Sequence, residues 1–241
     1  MNDPLARIRI VLSRTSHPGN IGAAARAMKT MGLSRLHLVE PRHFPDPEAT
    51  ARASGSTDVL DAAVVAGSLP EALRGTVLAA GFTARRRELG PPVRWLREAA
   101  AEIAAQAAGG EVALVFGNET AGLSNEDLAL CQIPVAIPTN PDYTSLNLAA
   151  AVQLACYEVR MACSLPAPAG PRPGFEPAAL EEIEGLFGHL ERAMTASGFL
   201  DPANPGRLMP RLRRLFARTR LEREEINILR GMLNSFSHKV D

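Results

Sequence analysis

The chain is short of the features that would assign a class at once. It has only three cysteines (Cys131, Cys156, Cys163), an odd number with no CxxC pair. That excludes a disulfide frame and a zinc knuckle, leaves no metal site to expect, and fits free thiols in a reducing compartment. It has no excess of either charge: Lys+Arg and Asp+Glu are 26 each, for a formal net charge of zero. A globally basic coat for nucleic acid is therefore excluded, while a local basic patch is not. No apolar run approaches the ~18 residues of a membrane span. The start, MNDPLARIRI, lacks the apolar core of a signal peptide. The expectation is a cytoplasmic protein with no membrane partner.

What is present is ordinary for a globular chain: 46% hydrophobic and 22% charged residues. The length, 241 residues, is about one and a half typical domains. One composition break divides it. The segment 164–177, SLPAPAGPRPGFEP, carries five prolines and reads as a semi-rigid linker. The expected division is a domain at 1–163, the linker at 164–177 and a helical extension at 178–241.

Before the break, apolar runs alternate with helical stretches. The runs at 7–13, 36–40, 63–67, 76–82, 112–117 and 134–138 are predicted strands. Several are apolar at consecutive positions, as expected when both sheet faces are covered. Helices are predicted at 21–32 and 94–110, each stopped by glycine, and a capping box at Ser124 and Asp127 starts a short one. The alternation implies an α/β domain with a mainly parallel sheet and flanking helices. The helix predicted at 146–162 is apolar nearly all round, so it is either buried or packed against a partner chain.

After the linker, helices are predicted at 176–198, 207–220 and 221–236. From Arg207 to Arg223 there are seven arginines against one glutamate. These form either a solvated face or a phosphate-contacting patch.

Three loops carry glycine and asparagine. In HPGNIGAAAR (17–26), Gly19 and Gly22 permit a tight strand-to-helix turn whose amides could hold an anion, with Arg26 one turn into the helix. The GxGxxG spacing of dinucleotide sites is missing. In FGNETAGLSNEDL (116–128), Leu123 stands where a phosphate loop needs Lys, which excludes a nucleotide triphosphatase. Glu119 there has no local cation partner. In IPTNPDYTSLNLA (137–149), Thr144 or Ser145 is predicted to cap the apolar helix. No nearby His activates Ser145, so hydrolase chemistry gains no support.

In order and spacing, these three loops resemble the motifs of the SPOUT-class, TrmH-group RNA ribose 2′-O-methyltransferases. The first is Asn20-Ile21-Gly22 with Arg26, the second VALVFGNETAGLS (112–124) and the third IPTNPDYTSLNLAAAVQLACYE (137–158). The match spans about residues 7–163. It is similar most of all to the branch that methylates cytidine or uridine at anticodon-loop nucleotide 32 of tRNA. The resemblance implies a SPOUT trefoil knot, S-adenosylmethionine as cofactor, a homodimer and a tRNA substrate.

By motif, the cofactor is expected against Phe82, Thr83 and Ala84, against Gly117 and Asn118, and against Ile137, Thr144, Ser145, Leu146 and Asn147. The catalytic set implied is Arg26, Asn20, Glu119, Tyr143 and Ser145. A guanidinium is practically never deprotonated, so Arg26 is expected to clamp a substrate phosphate instead of acting as base. Ser145 and Tyr143 would place the 2′-hydroxyl, and Asn20 would hold the Arg26 loop. Asn118 stands where close relatives often have Arg. In the tail, Arg211, Arg213, Arg214 and Arg218 are the expected RNA contacts. Two readings stay open beside this one: an rRNA 2′-O-methyltransferase of the same fold, serving antibiotic self-resistance, and a silent RNA-binding homologue.

Overall fold

The computed structural model describes residues 3–84, 92–164 and 176–237. Seven strands form the sheet: β1 (Ile8–Ser13), β2 (Arg35–Val39), β3 (Val64–Ala66), β4 (Thr76–Phe82), β5 (Arg94–Trp95), β6 (Glu111–Phe116) and β7 (Ile133–Ala136). Their order is β3-β2-β1-β6-β4-β7-β5, and every pairing is parallel. The predicted strands are all present within a residue or two. Arg94 and Trp95, expected to open a helix, form an edge strand instead.

The helices are α1 (Pro18–Thr30), α2 (Pro47–Ala53), α3 (Thr57–Asp61), α4 (Leu69–Ala72), α5 (Leu96–Gly109), α6 (Asn125–Ala129), α7 (Leu148–Ser164), α8 (Leu180–Ala196), α9 (Leu208–Ala217) and α10 (Arg223–Ser237). On one sheet face Ile8, Ile10, Leu12, Leu114 and Phe116 are buried together with residues of α1, α5 and α7. On the other, Val11, Val39, Ala113 and Val115 are buried with Leu69 of α4, Leu128 of α6 and Leu180 of α8. Burial on both sides is why these strands read as continuous apolar runs.

Residues 165–175 of the predicted linker lie outside the described residues. Beyond them, the helical part has its own small core of Ala178, Leu186, Leu221 and Ile226. Besides the packing of Leu180, polar contacts tie it to the sheet domain. The Gly75 N–H donates to Glu181 Oε2 at 3.2 Å, and Arg220 pairs with Glu102 of α5. Among the described residues, no helix is long and apolar enough to cross a membrane, and no cluster of His, Cys, Asp and Glu could hold a metal ion.

One local expectation is corrected. Gly22 does not serve the strand-to-helix turn, because α1 already begins at Pro18. It sits in the second turn, where α2 crosses: a Cβ at Gly22 would lie 2.0 Å from the Ala49 carbonyl oxygen. Gly19 differs, since its Cβ would meet the flexible end of Glu48 at 2.6 Å. Gly22→Ala should therefore push the helices apart and destabilise the fold by about 1–3 kcal/mol, outweighing the gain in helix propensity of about 1 kcal/mol. Gly19→Ala should leave the thermal midpoint within a few degrees. Thermal unfolding of the two variants checks this directly.

Candidate active site

Because every strand runs the same way, the segments leaving β1, β6, β4 and β7 emerge at one edge of the sheet. That edge is the usual ligand crevice of a parallel α/β fold. The three glycine- and asparagine-bearing loops meet there, and the Glu119 carboxylate fastens them. Its Oε2 accepts from the Ser16 N–H at 2.9 Å and the Ser16 hydroxyl at 2.8 Å. Its Oε1 accepts from the His17 N–H at 3.2 Å and from Asn20 Nδ2 at 2.9 Å. His17, at the cap of α1, makes no side-chain cap hydrogen bond. Glu119 therefore fills, from within the chain, the anion site expected at this helix start.

Burial pushes the Glu119 carboxyl up, but the hydrogen bonds from Asn20 and Ser16 outweigh it and bring it down to about 2. The group is ionised throughout the neutral range and is a weak proton acceptor. Its contribution to stability is present above the ordinary carboxylate range and is lost as pH falls toward about 2. Its geometry makes it an anchor.

The anchor extends to the third loop. Asn20 Oδ1 accepts from Asn147 Nδ2 at 2.9 Å. Asn147 Oδ1 in turn accepts from the Ala149 and Ala150 N–H groups at 2.9 and 3.3 Å. Asn147, and not Thr144 or Ser145, thus caps α7. Its side chain lies outside the pocket lining where the motif placed it. No sequence signal joins Asn20 to Asn147, which are 127 positions apart.

The second loop folds back on itself. Gly122 N–H donates to the Asn118 carbonyl at 2.8 Å, and a Cβ at Gly117 would lie 2.1 Å from backbone atoms of Gly122 and Leu123. Only glycine permits that approach. Asn118 holds the turn from inside, its Oδ1 accepting from Thr120 N–H at 2.9 Å and its Nδ2 donating to the Arg14 carbonyl at 2.7 Å. The expected capping box forms by half: Ser124 Oγ accepts from Asp127 N–H at 3.0 Å, while the Asp127 carboxylate pairs with Arg14 at 2.6 Å.

Between these loops lies an open pocket of about 240 Å³. Phe82, Thr83 and Ala84 line one side, and Gly117, Asn118 and Glu119 a second. Ile137, Thr144, Ser145 and Leu146 line the third. Phe82 and Phe116 stack with ring centroids 4.2 Å apart. Tyr143 is three-quarters exposed and lies outside the lining, as do Asn20 and Arg26. Arg26 lies two turns into α1, not one, and is exposed. Its guanidinium has no carboxylate partner among the described residues.

In the tail, Arg211, Arg214 and Arg218 are exposed. Arg213 is not available as expected: its Nη2 donates to Glu184 Oε2 at 2.7 Å and its guanidinium lies 4.4 Å over the Phe187 ring. It is a strut between α8 and α9.

Comparison with known proteins agrees with this geometry. The SpoU rRNA Methylase family profile matches residues 7–157. That of the tRNA methyltransferase TrmJ C-terminal domain matches residues 181–241. A relative from Pseudomonas aeruginosa (strain UCBPP-PA14), the tRNA (cytidine/uridine/adenosine-2′-O-)-methyltransferase TrmJ, is 52% identical over 240 residues, covering 95% of this chain and 93% of its own. The crystal structure of TrmJ from Z. mobilis ZM4 superposes with a TM-score of 0.84 at 36% identity, covering 96% of this chain and 100% of the other. The SpoU methyltransferase AviRb from Streptomyces viridochromogenes, solved with the cofactor AdoMet, aligns at a TM-score of 0.50 and 25% identity, over 64% of this chain and 59% of its own. With one family profile spanning the sheet domain and a full-length relative at this identity, the chain is a methyltransferase of the SpoU family and belongs, within it, to the TrmJ proteins.

Proposed function

We propose that the protein is an S-adenosylmethionine-dependent tRNA ribose 2′-O-methyltransferase acting on cytidine or uridine at anticodon-loop nucleotide 32. The observation that carries the reading is the pocket walled by all three motif loops and fastened by Glu119. Its lining suits an adenosyl group. Apart from Asn118 and Glu119, the walls are backbone and small or apolar side chains, and the Gly117 backbone comes close enough to Gly122 to exclude any side chain. The cofactor, when bound, supplies an electrophilic sulfonium methyl.

The remaining work belongs to the chain: to hold a ribose 2′-hydroxyl in line, and alignment alone can remove about 7–11 kcal/mol of barrier. Arg26 is exposed and free to fork onto a substrate phosphate. The Ser145 hydroxyl, at the pocket wall, and the exposed Tyr143 place the sugar hydroxyl. Asn20 is engaged by Glu119 and Asn147, so it holds the pocket together instead of steadying Arg26.

The reading includes a homodimer and the trefoil knot of the fold. Support for the dimer comes from α7, which buries Leu148, Val152, Ala155, Cys156 and Val159 while leaving Leu154, Tyr157 and Met161 at least 40% exposed. That is an apolar face suited to a second copy. The tail, divided from the sheet domain at the proline-rich segment, is assigned to tRNA, a substrate found in the cytoplasm.

The direct test is incubation with labelled S-adenosylmethionine and total tRNA or rRNA, followed by mapping of the modified nucleoside. Label at tRNA residue 32 is expected, label only in rRNA would favour the rRNA enzyme, and no label in either would refute the reading. Arg26→Lys should lower turnover at least tenfold, because one charge-assisted hydrogen bond of about 1.5–3 kcal/mol is lost. Near-normal turnover would contradict the clamp. Reversing the charges of Arg211, Arg214 and Arg218 should weaken tRNA binding and flatten its salt dependence, with cofactor affinity unchanged. Arg213→Glu should instead lower the thermal midpoint.

A further inference from the structure

Resting on the methyltransferase reading, we propose that Arg14 is a positioning residue for the cofactor, holding both ends of the loop that forms the second pocket wall. Arg14 follows β1 directly and precedes the Asn20–Arg26 motif, so none of the three motifs includes it. Its backbone is left-handed, with φ of 54°, a conformation uncommon for a side chain without glycine's freedom. Its N–H donates to the Val39 carbonyl at 2.8 Å, extending the β1–β2 ladder beyond Ser13.

From that fixed point three contacts diverge. The Arg14 carbonyl accepts from Asn118 Nδ2 at 2.7 Å, at the start of the wall loop. The Arg14 guanidinium donates from Nη1 to Asp127 Oδ2 at 2.6 Å, just past its end, and from Nε to Glu40 Oε2 at 3.3 Å. The intervening stretch, Thr120 to Leu123, lines the pocket.

The two ion pairs are unequal. Glu40 is half-exposed, so water screens it, whereas Asp127 is buried with 6% exposure. A buried carboxylate needs its counter-charge: without Arg14, the Asp127 charge is left uncompensated and the side chain must move toward water. Asp127 lies in the first turn of α6, three residues after the Ser124 cap. Its displacement would carry that helix start and the preceding wall with it. Arg14 acts through the wall and touches no reacting atom.

The test is a double-mutant cycle on the full chain, with Arg14→Asn, Asp127→Asn and the pair together. Asn tolerates the left-handed backbone, so Arg14→Asn removes the ion pair and keeps the turn. Calorimetric titration with S-adenosylmethionine gives Kd, steady-state turnover of tRNA gives cofactor KM and kcat, and thermal unfolding is recorded beside them. Arg14→Asn should raise Kd and KM for the cofactor by about tenfold, with kcat at saturating cofactor within about twofold. The double variant should bind no worse than the weaker single, because the two residues act as one unit.

A lowered thermal midpoint with unchanged Kd and KM would make Arg14 merely structural and overturn the assignment. Independent, additive losses would overturn the pairing. If Arg14→Asn fails to fold, Asp127→Asn decides alone: raised cofactor KM supports the proposal and unchanged KM overturns it. Wild-type protein that takes up no cofactor would remove the methyltransferase reading itself. Normal wild-type uptake with unaltered variants would remove only this assignment.

Discussion

One carboxylate organises the candidate active site. Glu119 receives hydrogen bonds from Ser16, His17 and Asn20, and through Asn20 it reaches Asn147 and the first amides of α7. Three loops distant in sequence are thereby joined by a chain of polar contacts at one sheet edge. The physics is that of a helix start: exposed amides attract negative charge. Here the charge comes from the protein. Those amides are thereby occupied by Glu119, and in the proposed function the cationic role falls to the exposed Arg26, further along the same helix.

The sheet makes this possible. Parallel strands deliver β1, β4, β6 and β7 to the edge with their carboxyl ends together, and burial on both faces leaves little freedom in their positions. The close crossing at Gly22 and Ala49 locks α1 against α2. The direction in which the start of α1 and the two residues before it present Ser16, His17 and Asn20 to Glu119 is therefore a property of the packed core. Loops so anchored can wall a pocket with backbone, as Gly117 and its neighbours do.

Much of this was legible in the sequence, for identifiable reasons. Strands buried on two sides leave apolar runs, so β1, β4 and β6 stand out. Loops rich in Gly and Asn announce themselves by composition, and their resemblance to a known set of motifs located the pocket walls. Among short helices, α6 was signalled by its Ser124 cap, but α2, α3 and α4 were not legible, since they span 4–7 residues, too few to display a helical period. The Arg94–Trp95 strand was hidden because it runs straight into α5.

Side-chain partnerships across the fold were the other blind spot. The seven arginines from Arg207 to Arg223 look alike in sequence, yet Arg213 is bound to Glu184 and Phe187 while Arg214 is exposed. Glu119 reads as a lone turn acid because its donors lie about a hundred positions upstream. The measurement that bears most directly on the central claim is calorimetric uptake of S-adenosylmethionine by the wild type and by Glu119→Gln. That variant keeps the side-chain shape but loses the charge and one acceptor oxygen. Uptake by the wild type, weakened about tenfold or more by the substitution, is the expected result. Equal affinity in the two proteins would contradict the claim that this carboxylate builds the pocket.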